Sequence, residues 1–224
     1  MLIKKYEYPG TVRETIKGKR HYSVGKEKLP SVTTILQATQ PEEKRKKLEE
    51  WKRRVGADKA DAIKNKSANR GTALHKLIEK HILGEGYRDL TDTGAEAQRM
   101  ATKIIEKALP EWGSFYGTEV TVHYPGLYAG QSDLVGHHQG GDAIGDFKQS
   151  NKPKQKDWIE DYFLQLAAYA MAHDQVYGTE IKKGVIMMCT PDLYYQQFVI
   201  EGNELKKHKY NWLRRVDDYY TKTS

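Results

Sequence analysis

Cysteine is almost absent from the 224-residue chain, since Cys189 stands alone. A single cysteine excludes an internal disulfide, and it also excludes a four-cysteine zinc or iron–sulfur site within the chain. Long apolar runs are missing as well, and none approaches the roughly 20 residues that a membrane-spanning helix needs. The first ten residues, MLIKKYEYPG, lack the apolar core of a signal peptide and the Arg/Ser-rich character of a transit peptide. We therefore expect a cytoplasmic protein with no membrane and no disulfide partner.

The positive charge of the chain is unevenly distributed. Residues 1–70 hold 19 Lys/Arg against 9 Asp/Glu, whereas the remaining residues hold 18 against 21. The formal net charge of +7 therefore comes from the first third of the chain. A basic flank on a slightly acidic body suits a polyanionic ligand. For any single lysine in it, a solvated helix surface is the simpler explanation.

Residues 128–150 predict a β-hairpin, because two apolar strands flank the turn-rich sequence HHQGG. If residues 139–140 form a two-residue loop, Asp133 falls directly opposite Asp146, with Cβ atoms about 5 Å apart on the same face. Lys148 shares that face, since side chains alternate along a strand. A loop one residue later keeps both aspartates on one face. Only an odd-length loop or a bulge would separate them.

Two carboxylates and an ammonium in one small patch predict a metal site. Neighbouring carboxylates repel each other unless one is protonated or a cation lies between them. A hard cation such as Mg²⁺ takes carboxylate oxygens and keeps positions open for water and phosphate. The lysine can orient or deprotonate a water, or neutralise charge on a phosphoryl oxygen. The alternative is an exposed salt bridge on the strand surface, which is common and contributes little stability.

The remaining pattern predicts an α/β fold with a central mixed sheet and helices on both faces. The predicted elements are strands at residues 4–8 and 20–24, a helix starting near 31, helices at 42–56 and 57–64, a loop at 65–69, helices at 70–84 and 94–109, a strand at 119–123, the hairpin, a helix at 158–176, strands at 184–189 and 194–200, and a helix at 201–220. On the helix from residue 70, Gly71, His75 and Glu79 share one face. A lone histidine on a helix is more often structural or merely exposed than a ligand.

Four short motifs occur in a characteristic order: GTALH at 71–75, GQSD at 130–133, GDFKQS at 145–150 and QLAAY at 165–169. Together they resemble the PD-(D/E)XK nucleases, and within them the RecB-like exonuclease branch that includes the mitochondrial genome maintenance exonucleases and their phage relatives. Residues 30–36 and 150–154 also resemble that group, and the resemblance covers most of residues 30–220. Each motif is weak alone, and the order makes the match specific. Ser132 replaces the proline of the superfamily's name, a departure common in this branch.

The resemblance implies a restriction-endonuclease-like nuclease core at residues 70–224, preceded by a basic accessory region at 1–69. It implies that Mg²⁺ or Mn²⁺ is bound by His75, Asp133, Asp146 and the carbonyl of Phe147. Lys148 would activate the attacking water or stabilise the transition state, and Gln165 and Tyr169 would position that lysine or the substrate phosphate. DNA-contacting residues would be Arg70, Thr72, Ser150, Lys152 and Lys154. Glu119 matches an acidic residue often found in the first strand, and its role stays open.

The predicted function is a metal-dependent DNA exonuclease acting on single strands with free ends, in replication, repair or recombination. Alternatives are a processive double-strand exonuclease of the phage recombination type, a structure-specific endonuclease, and a non-catalytic DNA-binding module, which would usually have lost Lys148 or an aspartate. A phage-encoded protein would act in the host cytoplasm. Aromatic residues interleaved with the basic flank further predict a strap that admits only a single strand; they are Tyr6, Tyr8, Tyr22 and Trp51. Oligomeric state and polarity of digestion stay open.

Overall fold

A computed structural model describes residues 1–223, which form two β-sheets and six α-helices. The elements are β1 (Val12–Ile16), β2 (Lys19–Val24), β3 (Glu27–Pro30), α1 (Val32–Ala38), α2 (Glu42–Val55), α3 (Ala57–Ile82), α4 (Asp92–Ala108), β4 (Trp112–Tyr124), β5 (Tyr128–His138), β6 (Gly141–Gln149), α5 (Glu160–Tyr177), β7 (Lys183–Cys189), β8 (Tyr195–Glu201) and α6 (Gly202–Thr223). Short 3₁₀ turns precede β4 and α5. No helix among them is long and apolar enough to cross a membrane.

The larger sheet has the order β4-β5-β6-β7-β8. Its neighbours are antiparallel except for β6 and β7, which run parallel and are connected through α5. Helices α1, α5 and α6 pack on one face, and α3 and α4 pack on the other. A separate antiparallel sheet, β1-β2-β3, precedes them in the chain. The α/β fold class with a central mixed sheet flanked by helices is confirmed.

Strand β7 is buried on both faces and joins the two halves of the core. Ile186 and Met188 belong to the cluster under α5 and α6, whereas Val185, Met187 and Cys189 belong to the cluster under α3 and α4. Its sequence is accordingly apolar at every position from Val185 to Cys189 instead of alternating, as expected for a strand covered on both sides. The sheet is thus rigidly held where its strands carry the site.

The hairpin of β5 and β6 has the predicted register. Pairing runs without a shift from His138–Gly141 to Leu134–Gly145, the pair that precedes Asp133 and Asp146. The two loop residues have φ values of 42° and 86°, as a tight two-residue hairpin turn requires. The turn therefore fixes which side chains of the hairpin share a face.

Two local predictions are wrong. The loop predicted at 65–69 is helical, because α3 runs unbroken from Ala57 to Ile82. The sequence NKSAN has weak helix preferences, but it contains no proline or glycine, and Gln149 holds this part of the helix by donating to the Ser67 carbonyl at 3.0 Å. The strand predicted at 4–8 is also not formed, and the N-terminus instead follows β4 through the Ile3 amide. The proposed domain boundary at 69/70 stays a prediction, and it falls inside α3.

Candidate active site

Five ionisable side chains converge where α3 crosses the larger sheet. His75 comes from α3, Glu119 from β4, Asp133 from β5, and Asp146 and Lys148 from β6. Both aspartates are buried, with Asp146 completely shielded from solvent. The structure therefore brings the sequence-predicted metal ligands together in one place and adds Glu119 to them.

The imidazole of His75 lies close to two carboxylates. Its Nδ1 lies 3.2 Å from Oε1 of Glu119 and 3.5 Å from Oδ1 of Asp133. One candidate ligand atom from each of these three residues lies within 4.8 Å of the other two. The second oxygen of Asp133 accepts a hydrogen bond of 2.7 Å from the backbone N–H of Phe147, which fixes the carboxylate. An imidazole and two carboxylates at this spacing are the donor set that a divalent cation takes.

Glu119 occupies an unusual backbone conformation within β4. Its φ of 52° lies in the left-handed region, which a residue with a side chain adopts only when surrounding contacts hold it there. One such contact is Gln131, whose amide donates to the Glu119 carbonyl at 2.9 Å. Because Thr118 and Val120 pair regularly with β5 on either side, the distortion is confined to the residue that faces His75. The sequence signal for Glu119 was its place in the first long strand, which left its role open.

Asp146 and Lys148 form a buried ion pair beside this cluster. Nζ of Lys148 lies 2.7 Å and 2.6 Å from the two carboxylate oxygens. Burial raises the pKa of Asp146 to about 7, although the lysine opposes that shift. Burial also works to lower the pKa of Lys148, but the carboxylates of Asp146 and Asp133 hold it above its ordinary value. The lysine is therefore charged at neutral pH, which suits it to stabilise negative charge on a phosphoryl oxygen.

A hydrogen-bonded row on α5 supports the lysine from the other side. Lys148 Nζ donates to Gln165 Oε1 at 3.4 Å, and the Gln165 amide donates to the Tyr169 hydroxyl at 3.0 Å. The ring of Tyr162 lies 5.0 Å from the same ammonium, within the range of a cation–π contact. Tyr169 itself fits because residue 130 is glycine, since a Cβ on Gly130 would lie 2.5 Å from the Tyr169 ring. Gln165 and Tyr169 thus position the lysine through one chain of contacts.

The carboxylates of the site favour a positive charge between them. Burial disfavours a charged imidazole, yet the carboxylates of Asp133 and Glu119 raise the pKa of His75 to about 9. Burial likewise raises the pKa of Asp133. The ammonium of Lys148 is a neighbouring positive charge that works to lower the pKa values of both Asp133 and Asp146. A divalent cation that replaces the proton on His75 fits the same donor set, because metal ligands must be deprotonated.

A cleft of about 950 Å³ leads to these side chains. Its lining includes Gly71, Thr72 and His75 from α3, and Arg13 and Thr33 from the N-terminal region. A smaller cavity of about 190 Å³ continues to the two ligand carboxylates; it is lined among others by Arg20, Tyr22, Glu119, Asp133 and Tyr169. The basic accessory region thus borders the site.

Of the aromatic residues predicted to stack bases, the structure brings Tyr22 to the site. Tyr6 and Tyr8 do not reach it, because they pack against the ring of His173 on α5, with the Tyr8 hydroxyl 3.1 Å from its Nε2. This packing occurs near Asp142, at the opposite end of β6 from the ion pair. The stacking prediction is wrong for these two residues, since their contacts with α5 hold them away from the cleft.

Of the five predicted DNA-contacting residues, two lie at the cleft or on the surface, and three are buried or held by hydrogen bonds within the protein. Thr72 lines the cleft, and Lys152 is exposed. Arg70 is 2% exposed, and its guanidinium donates to Gln149 and pairs with Glu96 at 3.0 Å. Arg70 also donates to Asn151, in the loop that follows β6. Its geometry favours a structural role, in which it holds that loop against α3.

Ser150 and Lys154, like Arg70, are held by hydrogen bonds within the protein. Ser150 is buried, with its backbone N–H donating to Cys189 at the end of β7. Lys154 is held through its backbone, since its N–H donates to the Gln196 side chain at 2.7 Å and its carbonyl accepts at 2.9 Å. The lysine side chain is half-buried and takes no part in these bonds. DNA contact by Lys154 stays a prediction, and the loop that carries it is fixed to β8.

Three curated proteins are similar to the chain over nearly its whole length, and each is named mitochondrial genome maintenance exonuclease 1. The mouse protein is 30% identical over 205 residues, covering 87% of the chain and 60% of the relative. The Xenopus tropicalis protein is 28% identical over 237 residues (98% and 65%), and the human protein is 27% identical over 210 residues (87% and 59%). The chain is similar in sequence to these exonucleases. The resemblance found from the four motifs is thereby confirmed.

The chain spans about three fifths of the length of these relatives. No protein-family model matches it. One solved structure, of a candidate exonuclease from Eubacterium rectale, aligns over 68% of each chain with 13% identity and a TM-score of 0.47. The assignment to exonuclease relatives therefore rests on the sequences.

Proposed function

We propose that the chain is a divalent-metal-dependent DNA exonuclease that hydrolyses phosphodiester bonds of single strands from a free end. The observation that carries the proposal is the convergence of His75, Glu119 and Asp133 beside the buried Asp146–Lys148 pair, at the floor of a large cleft. A salt bridge on an exposed strand face, the simpler alternative for the two aspartates, does not apply to side chains that are buried.

The ligand set is His75, Glu119, Asp133 and Asp146, with the Phe147 carbonyl as a further oxygen. A bound Mg²⁺ or Mn²⁺ supplies a Lewis acid at a phosphoryl oxygen and lowers the pKa of a water. Lys148, held charged by Asp146, neutralises the negative charge that grows on the phosphate during attack.

The preference for single strands follows from the walls of the cleft. Arg13 and Arg20, on β1 and β2, line the two connected cavities and can contact a DNA backbone. Helix α2 adds seven Lys/Arg against four Asp/Glu and has no buried residue. It is tied to the start of α5 by Lys44, whose Nζ lies 3.2 Å from Asp161. Arg13 and Arg20 at the cavities, together with the basic helix α2, form the strap that would guide one strand past the site.

The decisive experiment compares DNA topologies. End-labelled linear single strands, covalently closed single-stranded circles and blunt duplexes are incubated with the protein in Mg²⁺, in Mn²⁺ and in EDTA, with Lys148→Ala as the matched inactive control. We expect digestion of the linear strand in either metal, survival of the circle, and attack on the duplex mainly at frayed ends. EDTA should stop the reaction.

Each alternative has its own result in the same experiment. Circles cut as fast as linear strands would indicate an endonuclease with an open cleft. A duplex digested faster than a single strand would indicate a double-strand exonuclease. Binding of DNA without cleavage in either metal would indicate a non-catalytic module, and the proposal would then be wrong.

A further inference from the structure

The cleft extends past the catalytic groups to a tyrosine that the reaction does not use. Lys76 and Glu79 follow His75 on α3, and Tyr87, in the loop after this helix, completes that end of the lining. From His75 to Glu79 the helix rises about 6 Å. Tyr87 therefore borders the same continuous space as Lys148.

Tyr87 offers an available ring face at this end. Its side chain is 39% exposed, and no hydrogen bond of its hydroxyl is found within residues 1–223. It also borders a groove of about 400 Å³ between α3 and α4, so that the ring separates the cleft from that groove. Single exposed aromatic residues are common on protein surfaces. Tyr87 differs from them in that it forms part of the wall of the catalytic cleft.

The charges around Tyr87 favour a base over a phosphate. Nζ of Lys76 lies 2.8 Å from Glu79, and this ion pair neutralises the charges that α3 presents there. The other positive charges that line the cleft lie elsewhere, on Arg13 and on Lys148, which is paired with Asp146. A strand whose phosphates follow those cations directs its bases toward the neutral, aromatic part of the wall.

We propose that Tyr87 stacks on an unpaired base of the DNA strand and thereby makes the cleft selective for single strands. The proposal rests on the proposed function, because it takes DNA as the occupant. A base in a duplex is already stacked on both faces by its neighbours, whereas an unpaired base can place one face on a tyrosine ring. Stacking of this kind is independent of sequence, since every base has a π-face.

Binding to two oligomers of equal length and charge tests the proposal. One is a fluorescein-labelled oligodeoxyadenylate, and the other is an abasic deoxyribose-phosphate oligomer. Affinity is measured by anisotropy in Ca²⁺, with gels to confirm that the oligomers stay intact. Tyr87→Ala should weaken binding of the oligodeoxyadenylate about 5- to 150-fold, which corresponds to about 1–3 kcal/mol. It should leave binding of the abasic oligomer unchanged, and Tyr87→Phe should bind both as the wild type does.

Tyr210→Ala is the matched control, because this tyrosine is 64% exposed on α6 and does not line the cleft. Circular dichroism melting checks that each variant folds. If the wild type and Tyr87→Ala bind oligodeoxyadenylate with equal affinity, Tyr87 does not stack on a base. Cleavage of DNA by the wild type in Mg²⁺ would in that case still support the proposed function. An equal loss with the abasic oligomer would also overturn the stacking role. If the wild type neither binds nor cuts DNA, the proposed function fails as well.

Discussion

Replacing Gly130 by alanine tests whether the catalytic lysine is positioned from α5. The added Cβ would lie 2.5 Å from Cε1 of Tyr169 and 3.0 Å from its hydroxyl, closer than van der Waals contact allows. Tyr169 is 3% exposed, and the open space beside it is the smaller cavity at the site. Any shift disturbs the 3.0 Å bond from Gln165, and with it the 3.4 Å contact between Gln165 and Lys148.

The size of the effect follows from two opposing contributions. Overpacking a closed core costs about 1–3 kcal/mol. Alanine in place of glycine in a strand gains roughly 0.5–1 kcal/mol, because the unfolded chain loses conformational freedom. We therefore expect Gly130→Ala to lower the free energy of unfolding by about 1–2 kcal/mol. In a chain of this length, that change lowers Tm by about 2–8 °C. We also expect kcat to change by a larger factor than KM, because the displaced Tyr169 positions the catalytic lysine.

Thermal melting and steady-state cleavage of a labelled oligonucleotide measure the two effects. Gly113→Ala is the matched control, since Gly113 is also a strand glycine and its added Cβ would meet its nearest atom at 3.9 Å. That variant should be as active as the wild type and at least as stable, by up to about 0.5–1 kcal/mol. If Gly130→Ala melts and cuts like the wild type, Tyr169 is not held tightly, and the positioning argument is wrong.

Four further predictions concern single side chains of the site. Lys148→Ala should lower kcat at least about 100-fold while calorimetry shows that the metal still binds. Glu119→Gln should raise the Kd of Mn²⁺ about 10- to 100-fold, and an unchanged Kd would remove Glu119 from the ligand set. Arg70→Met should lower stability by about 3–5 kcal/mol in urea without changing the salt dependence of DNA binding, because its partners are inside the protein. The pKa values of Asp146 and His75 are both raised in the folded protein, so each group keeps its proton to a higher pH there than in the unfolded chain. In EDTA, the free energy of unfolding should therefore fall as pH rises from about 4 to 7, because of Asp146, and from about 6.5 to 9, because of His75. Asp146→Asn and His75→Gln should each flatten their own part of that profile in urea unfolding, and a profile unchanged in both variants would contradict the assignment.

The hairpin and its aspartates could be predicted from the sequence because local rules decide them. A two-residue turn fixes the register, and alternation then fixes the faces of Asp133, Asp146 and Lys148. The position of Glu119 could not be predicted, because a left-handed residue inside a strand follows from tertiary contacts and not from local preference. The burial of Arg70 was missed for the same reason, since its partner Glu96 lies on a different helix.

Three features of the site cost folding energy. Glu119 occupies a strained backbone conformation, Asp146 is completely buried, and burial of His75 disfavours its charged form, which the carboxylates of Asp133 and Glu119 oppose. Folding alone gives no reason to retain them, since apolar residues in these positions would be at least as stable. A cation bound among the three carboxylates would relieve the repulsion between them and offset the burial of their charge. The arrangement is therefore best explained by its ligand, and adding Mn²⁺ to the metal-free protein should raise Tm by an amount that grows with metal concentration. The same titration of Glu119→Gln should give a smaller rise, and equal rises would show that the strained glutamate does not serve the metal.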